Sequence, residues 1–266
     1  MLLVAVAASS GCDKNAVQLI AGPPAGGASV KFFNFSVSSP TVNFYVNNTK
    51  YTAVSSTSCF NLAVLPDSLK TRCTTAGIES TSGVAYGGAG NGASGWYSDV
   101  APGQITIQGK IAAATDKDLA ISNLQATVAE GKHYSFYQSG IYDATAKATD
   151  SFIVEDNIPA ADQAVAYVRF VNAVANATGP MKLFAKNRTT LEEVATSTAE
   201  IAYKAAGSFT AIPPGAYDLG ARYAGVATNA ISRTNVSFLA GRVYTITARG
   251  NITVSSTLGL DNTANQ

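Results

Sequence analysis

A chain of 266 residues is long enough for two domains of ordinary size, each able to bury a core without metal or disulfide help. Charged residues make up only 13%, and the 47% apolar fraction is dispersed in short runs, a composition that fits an exported β-rich protein and offers no stretch for a membrane-spanning helix. Eighteen Lys and Arg against 17 Asp and Glu leave a formal net charge of +1, too weak a field to gather phosphate backbones, so nucleic acid is not an expected partner.

The chain begins "MLLVAVAASSGC", a short apolar run, then small residues, then Cys12, which reads as the end of a secretory signal and not as a folded element. It resembles a bacterial lipoprotein signal, with Ser9, Ser10 and Gly11 before an acylated Cys12. Ser9 stands where that motif usually has Leu, and no Lys or Arg precedes the apolar run, as would follow from a natural start further upstream. On this reading residues 1–11 are a signal remnant and Cys12 carries the acyl chains. Each buried CH₂ contributes about 0.8 kcal/mol, so two or three chains give a lasting membrane anchor. The alternative is a free or buried Cys12 near a frayed terminus. Residues 12–28, with Pro23, Pro24 and a Gly pair, have the composition of a flexible tether.

Residues 29–143 form the first expected β unit. In "SVKFFNF" the period is two, placing Val30, Phe32 and Asn34 on one face and Lys31, Phe33 and Phe35 on the other. Cys59 and Cys73 follow. In an exported chain they are expected to form one disulfide, contributing about 3 kcal/mol for a loop of this size, with a structural role before any redox one. No C-x-x-C occurs and His133 is the only histidine, so neither a metal site nor a cofactor is expected. Next, Trp96 and Tyr97 come after the glycine-rich "GGAGNGASG" as a candidate binding pair, with Trp96 the stacking platform for a sugar or the filler of a partner's pocket. The competing reading packs it beneath the inserted loop or against the other domain. "APGQITIQ" is a tight turn feeding a strand with Ile105 and Ile107 inward. Asp116 and Asp118 are candidates for a carboxylate dyad or Ca²⁺ site, set against a solvated turn. His133 is the natural place to look for a general base.

Residues 144–164 read as a linker holding one strand-like run, Ser151 to Val154, and residues 165–254 read as a second copy of the same unit. "AYVRFVNA" echoes "ASVKFFNF", with Val168 and Phe170 in the core and Arg169, like Lys31, on the exposed face. "MKLFA" repeats "VNFYV", "GSFTAIPPGAYDL" repeats "GWYSDVAPGQITI", and "TNVSFLAGRVYTI" repeats "ATVAEGKHYSF", in the same order. The first blocks lie 138 residues apart and the Pro-Gly blocks 112, so the first copy carries about 26 extra residues, and these contain Cys59 and Cys73. The alignment sets His133 against Val243, which favours packing over catalysis, Tyr97 against Phe209, and Trp96 against Ser208. "PPGAYDLG" places Tyr217 and Leu219 inward. "TTLEEVATSTAE" has at most a turn of helix, and its Glu192 and Glu193 are a second carboxylate pair. Residues 255–266 read as a C-terminal tail. The expected fold is all-β: two tandem immunoglobulin-like antiparallel β-sandwich domains of about seven strands each, with a small barrel as the alternative.

The phrases Val168 to Ala173, Lys182 to Ala185, Ile212 to Tyr217 and Leu239 to Thr245 resemble the DUF4397 family of exported bacterial proteins and lipoproteins, common in Bacteroidetes. The first copy matches through Val30 to Phe35, Asn43 to Val46, Val100 to Ile105 and Ala129 to Ser135. The resemblance implies a tandem β-sandwich on the cell envelope and brings no catalytic residues with it. The expected function is therefore a lipid-anchored, non-enzymatic protein of the outer membrane or cell surface, facing outward or toward the periplasm. Its expected partner is an outer-membrane protein complex or a polysaccharide. A carbohydrate-binding or adhesion module using Trp96 is the alternative, and a hydrolase using loop carboxylates the third. The sequons "NFS", "NNT", "NAT", "NRT", "NVS" and "NIT" read as Asn/Thr-rich turns.

Overall fold

The computed structural model describes residues 27–52, 82–91, 96–197 and 199–265. These residues are all-β, and their 18 strands fall into two consecutive sets that follow one plan. The first set is β1 (Ala28–Asn34), β2 (Val42–Val46), β3 (Thr49–Lys50), β4 (Gly88–Ala89), β5 (Ser98–Val100), β6 (Gly103–Ile111), β7 (Ala120–Val128), β8 (His133–Asp143) and β9 (Ala148–Glu155). The second is β10 (Ala166–Ala173), β11 (Met181–Asn187), β12 (Glu193–Ala195), β13 (Ala205–Ala206), β14 (Thr210–Ile212), β15 (Gly215–Tyr223), β16 (Ile231–Phe238), β17 (Val243–Asn251) and β18 (Val254–Ala264).

Each set makes two sheets. In the first, β4 and β5 both pair with β1, which pairs with β8 and then β9, while β3-β2-β6-β7 form the other sheet. The second repeats this as β13 and β14 on β10, then β17 and β18, with β12-β11-β15-β16 opposite. The β1–β8 and β10–β17 pairs are parallel and all other strand pairs are antiparallel. Val30, Phe32, Phe44, Ile107 and Phe136 fill the space between the first two sheets, and Val168, Phe170, Leu183, Leu219 and Ile246 fill the space between the second two. A third apolar cluster, Phe33, Phe35, Tyr137, Phe152, Val171 and Ala173, joins the sheet of β1 to the sheet of β10. The molecule therefore has four layers, and its two inner sheets are covered on both faces.

The repeated phrases have structural jobs. Asn34 Nδ2 donates to the Val84 carbonyl at 2.9 Å, and Asn172 Nδ2 donates to that of Ile201 at 3.0 Å. Each brackets the chain where it crosses from one sheet to the other. The Tyr134 hydroxyl accepts the Ala129 N–H at 3.0 Å and the Tyr244 hydroxyl accepts the Leu239 N–H at 3.1 Å, closing the glycine turn of "AEGKHY" and "LAGRVY". Both turns need a positive φ, met by Gly131 at 70° and Gly241 at 73°. Ile105, Ile107, Tyr217 and Leu219 are buried as their alternation implies.

Four expectations are corrected. Residues 255–266 are not a tail, because Val254–Ala264 runs antiparallel along β17 from Val254 opposite Asn251 to Ala264 opposite Tyr244. Residues 144–164 are not all linker: Ala148–Glu155 pairs with β8, leaving only the segment after it as connector. "TTLEEVATSTAE" contributes the short edge strand β12, and its described residues form no turn of helix. Lys31 and Arg169 are not exposed but 2% and 1% accessible. Their strands alternate as expected, yet the outward face of each inner sheet meets the other half and not water.

If β18 is a ladder strand, removing residues 254–266 should abolish the near-UV circular dichroism and the cooperative melt. A truncated protein that melts at the full-length temperature would restore the tail reading.

Candidate functional site

The most organised polar cluster lies where the two inner sheets meet. β1 and β10 start at the same end of the molecule, and each aims its second outward side chain, Lys31 or Arg169, at the end of the other half's edge strand. Lys31 Nζ donates to the Ala264 carbonyl at 2.5 Å. Arg169 Nη1 donates to the Glu155 carbonyl at 3.0 Å, and its Nη2 pairs with Asp156 Oδ1. Asp156 follows β9 as Asn265 follows β18, and the backbone N–H of each closes on the head of the neighbouring strand, at His133 and Val243 respectively. Lys31 Nζ sits 4.4 Å over the ring of Tyr97, and the Arg169 guanidinium sits 4.7 Å over Phe209. The cation-to-carbonyl bond, the cation over a ring and the closing backbone N–H thus each occur once in either direction, around a two-fold pseudo-axis along the strands.

The centre of this cluster is a closed set of hydrogen bonds. The Tyr97 hydroxyl donates to Asp156 Oδ2 at 2.6 Å and accepts from Asn265 Nδ2 at 2.9 Å, while Ser135 Oγ donates to Asp156 Oδ2 at 2.8 Å. Across the axis Arg169 Nε donates to Thr245 Oγ1 at 2.9 Å, and Thr245 Oγ1 donates to Asn265 Oδ1 at 2.7 Å. Two cations, Lys31 and Arg169, share one carboxylate. Burial away from water pulls the Lys31 ammonium down to about 8, with Arg169 adding to the fall and Asp156 opposing it. Burial and the Asp156 charge together push the Tyr97 hydroxyl up, so it stays a donor.

Further along the axis the same exchange continues. Tyr86 donates to the Thr257 carbonyl at 2.5 Å beneath the Arg249 guanidinium, which pairs with Asp261. Its counterpart Tyr203 makes a hydroxyl contact with Ser139 at 2.9 Å and donates to Asp150 at 3.1 Å, beside Lys204 bonded to Asp150 at 2.6 Å. Between the two polar ends, Tyr137 stacks on Phe33 and Phe152 at 5.0 Å each. Chemically the arrangement holds two bodies in one orientation: it is shut from water, and its charged groups are taken up by side chains and strand-end carbonyls instead of being offered to a ligand.

The residues singled out from sequence are scattered. Cys12, Cys59 and Cys73 lie outside the described residues. Trp96 is half-buried with its backbone N–H bonded to the Asn91 carbonyl, whereas Tyr97 turns into the lock, so the two do not form one platform. His133 opens β8, edge-on to the Tyr97 ring at 5.0 Å, in the position Val243 takes in the other half. Asp116 and Asp118 are both exposed at positive φ, with Asp116 paired to Lys147 at 2.7 Å. Glu193 grips Arg222 in a bidentate pair at 2.7 and 2.6 Å, and Glu192 is exposed. Among the described residues no three His, Cys, Asp or Glu side chains gather as metal ligands. A shallow depression of about 360 Å³ on the outer sheet of the second half is lined by Phe184, Glu200, Arg222 and Val226. Its guanidinium is already held by Glu193 and Asn229 and lies over Phe184.

Sequence reasoning missed Lys31, Asp156, Arg169 and Asn265 as a group. The available signal was the repeat itself, which puts a cation second on the outward face of both leading strands, a place where a merely solvated face has no need of one. No family model matches the chain, and no curated protein matches it. The resemblance to the DUF4397 family therefore rests on the repeated phrases.

The lowered Lys31 value gives stability a pH slope. Between about 8 and 10.5 the unfolded chain holds a proton that the folded chain has released, so unfolding free energy rises with pH. Above about 10 the buried tyrosines reverse this, since Tyr97 and Tyr203 are pushed up and Tyr137 is raised to about 12, and they keep protons the unfolded chain loses. Urea unfolding should therefore show stability increasing from pH 8 toward 10, and Lys31→Met should flatten that rise. An unchanged slope in the variant would assign it to other groups.

Proposed function

We propose that the chain is a lipid-anchored, non-catalytic protein of the bacterial cell envelope, in which two tandem immunoglobulin-like sandwiches act as one rigid mount for partner-binding loops. The observation that carries this reading is the polar lock, which fixes both halves in the same sense along the strands. Gly27, at the head of β1, accepts the Gly131 N–H, and Asn265 lies against Tyr97 and Asp156, so both ends of the described chain sit at the lock end. The loops after β1, β6, β10 and β15 all lie at the opposite end. With strands of seven to nine residues at about 3.3 Å each, that end stands roughly 25 Å further out. A tether on Cys12 thus supports the lock end and leaves the far loops, including 112–119 and 224–230, facing a partner.

An outer-membrane protein complex is the leading class of partner. Polysaccharide is the second, favoured by the far-end depression with its Phe184 ring and Val226, which is 45% exposed. The carboxylates that a hydrolase would use are tied into ion pairs or exposed turns, which supports a binding role.

Two measurements test the proposal together. Labelled palmitate should enter the protein in a globomycin-sensitive way and be lost in Cys12→Ala. Affinity purification from native membranes should then recover a partner that is lost when residues 224–230 are replaced by a Gly-Ser loop and retained when the lock-end turn 239–242 is changed. An unacylated protein overturns the anchor, and a partner insensitive to the far loops overturns the mount.

A further inference from the structure

We infer that the paired faces of the two inner sheets are two versions of one docking surface, so that the proper partner of either half is the other sandwich and the central carboxylate can be supplied from either side of the axis.

The argument rests on matched contacts. Register alone sets Lys31 against Arg169, since Lys31 pairs with Ser135 on β8 as Arg169 pairs with Thr245 on β17. The same correspondence sets Tyr137 against Thr247, and their hydroxyls meet at 3.4 Å. It also sets Tyr86 against Tyr203, through the matching pairs Phe33 with Ala89 and Val171 with Ala206. In each case the residue of one half reaches the other half, and its counterpart reaches back. That reciprocity is the signature of an isologous contact, the kind two identical subunits make about a two-fold axis. Here one chain supplies both copies.

The asymmetry that sets the charge is at the centre. Asp156 and Asn265 are equivalent, and their side chains approach each other, with Asn265 Nδ2 at 3.5 Å from Asp156 Oδ2. Two copies of the first face would bring two Lys31 and two Asp156 together, which balances. Two copies of the second would bury two Arg169 against two Asn265 with no carboxylate, and buried cations without a counter-charge are strongly disfavoured. The Asp/Asn difference therefore blocks self-pairing of the second half and favours the first as its partner. The connector is not needed to hold the pair: residues 160–164 are exposed, and the lock closes on Asp156, ahead of them.

The test uses the full chain with a protease site inserted between Ala160 and Ala161. After cutting, native mass spectrometry at low micromolar concentration should show the halves as one 1:1 pair. Asp156→Asn should weaken that pair about a hundredfold or more, and adding Asn265→Asp should restore it, because the carboxylate returns to the axis from the other side. Asn265→Asp alone should fold, and it should remove the alkaline rise in stability by giving Lys31 its own counter-charge. If Asp156→Asn does not fold, the double variant and Asn265→Asp still decide the matter by their melting curves. Halves that separate on cutting, or a double variant no better than Asp156→Asn, would overturn the inference.

Discussion

The buried pair between Arg169 and Asp156 is the constraint on which the rest of the structure depends. Charges removed from water are costly unless geometry and hydrogen bonds answer them fully. Here Asp156 receives Arg169, Tyr97 and Ser135, while the remaining guanidinium donors go to Glu155 and Thr245. That satisfaction exists in only one relative placement of the two halves. Apolar contact between Phe33, Tyr137, Phe152 and Val171 supplies nondirectional attraction, and the polar lock selects one orientation from the many that such contact would tolerate.

Doubly buried inner sheets follow from this. An antiparallel sandwich ordinarily leaves the outer face of each sheet to water. In this chain β1 and β10 are buried along almost their whole length on both faces. The outer sheets keep the usual pattern, seen in β16, where Ser232 to Asn235 are exposed and Ile231, Val236 and Phe238 are buried. Rigidity is thus concentrated along the central axis, while variation is free at the outer sheets and the far loops. A mount for binding loops has that division of labour.

Much of this was legible in the sequence, and the failures have physical reasons. Period-two alternation identified the inward faces, so Val30, Phe32, Val168 and Phe170 are core. The repeat correctly set His133 against Val243 and Tyr97 against Phe209. Alternation cannot tell a face that meets water from one that meets a second sheet, and Lys31 and Arg169 looked like solvent-facing cations for that reason. Residues 255–266 read as a tail because short polar side chains suit one, while the ladder of Val254–Ala264 is made by backbone groups and by its last carbonyl, which accepts Lys31. The importance of Asp156 was hidden in a segment whose Pro and Ala content marks a connector. Only the fold shows that the first connector residue, Asp156, is buried in the lock while 160–164 are exposed.

The central claim is that the two halves are one body. The most direct measurement is of residual dipolar couplings from backbone amides of both halves in one weakly aligned sample. A single alignment tensor that fits β1 to β18 together is the expected result. Two tensors of different magnitude or orientation, one for each half, would contradict the account, because a lock closed by Arg169 and Asp156 permits no independent tumbling.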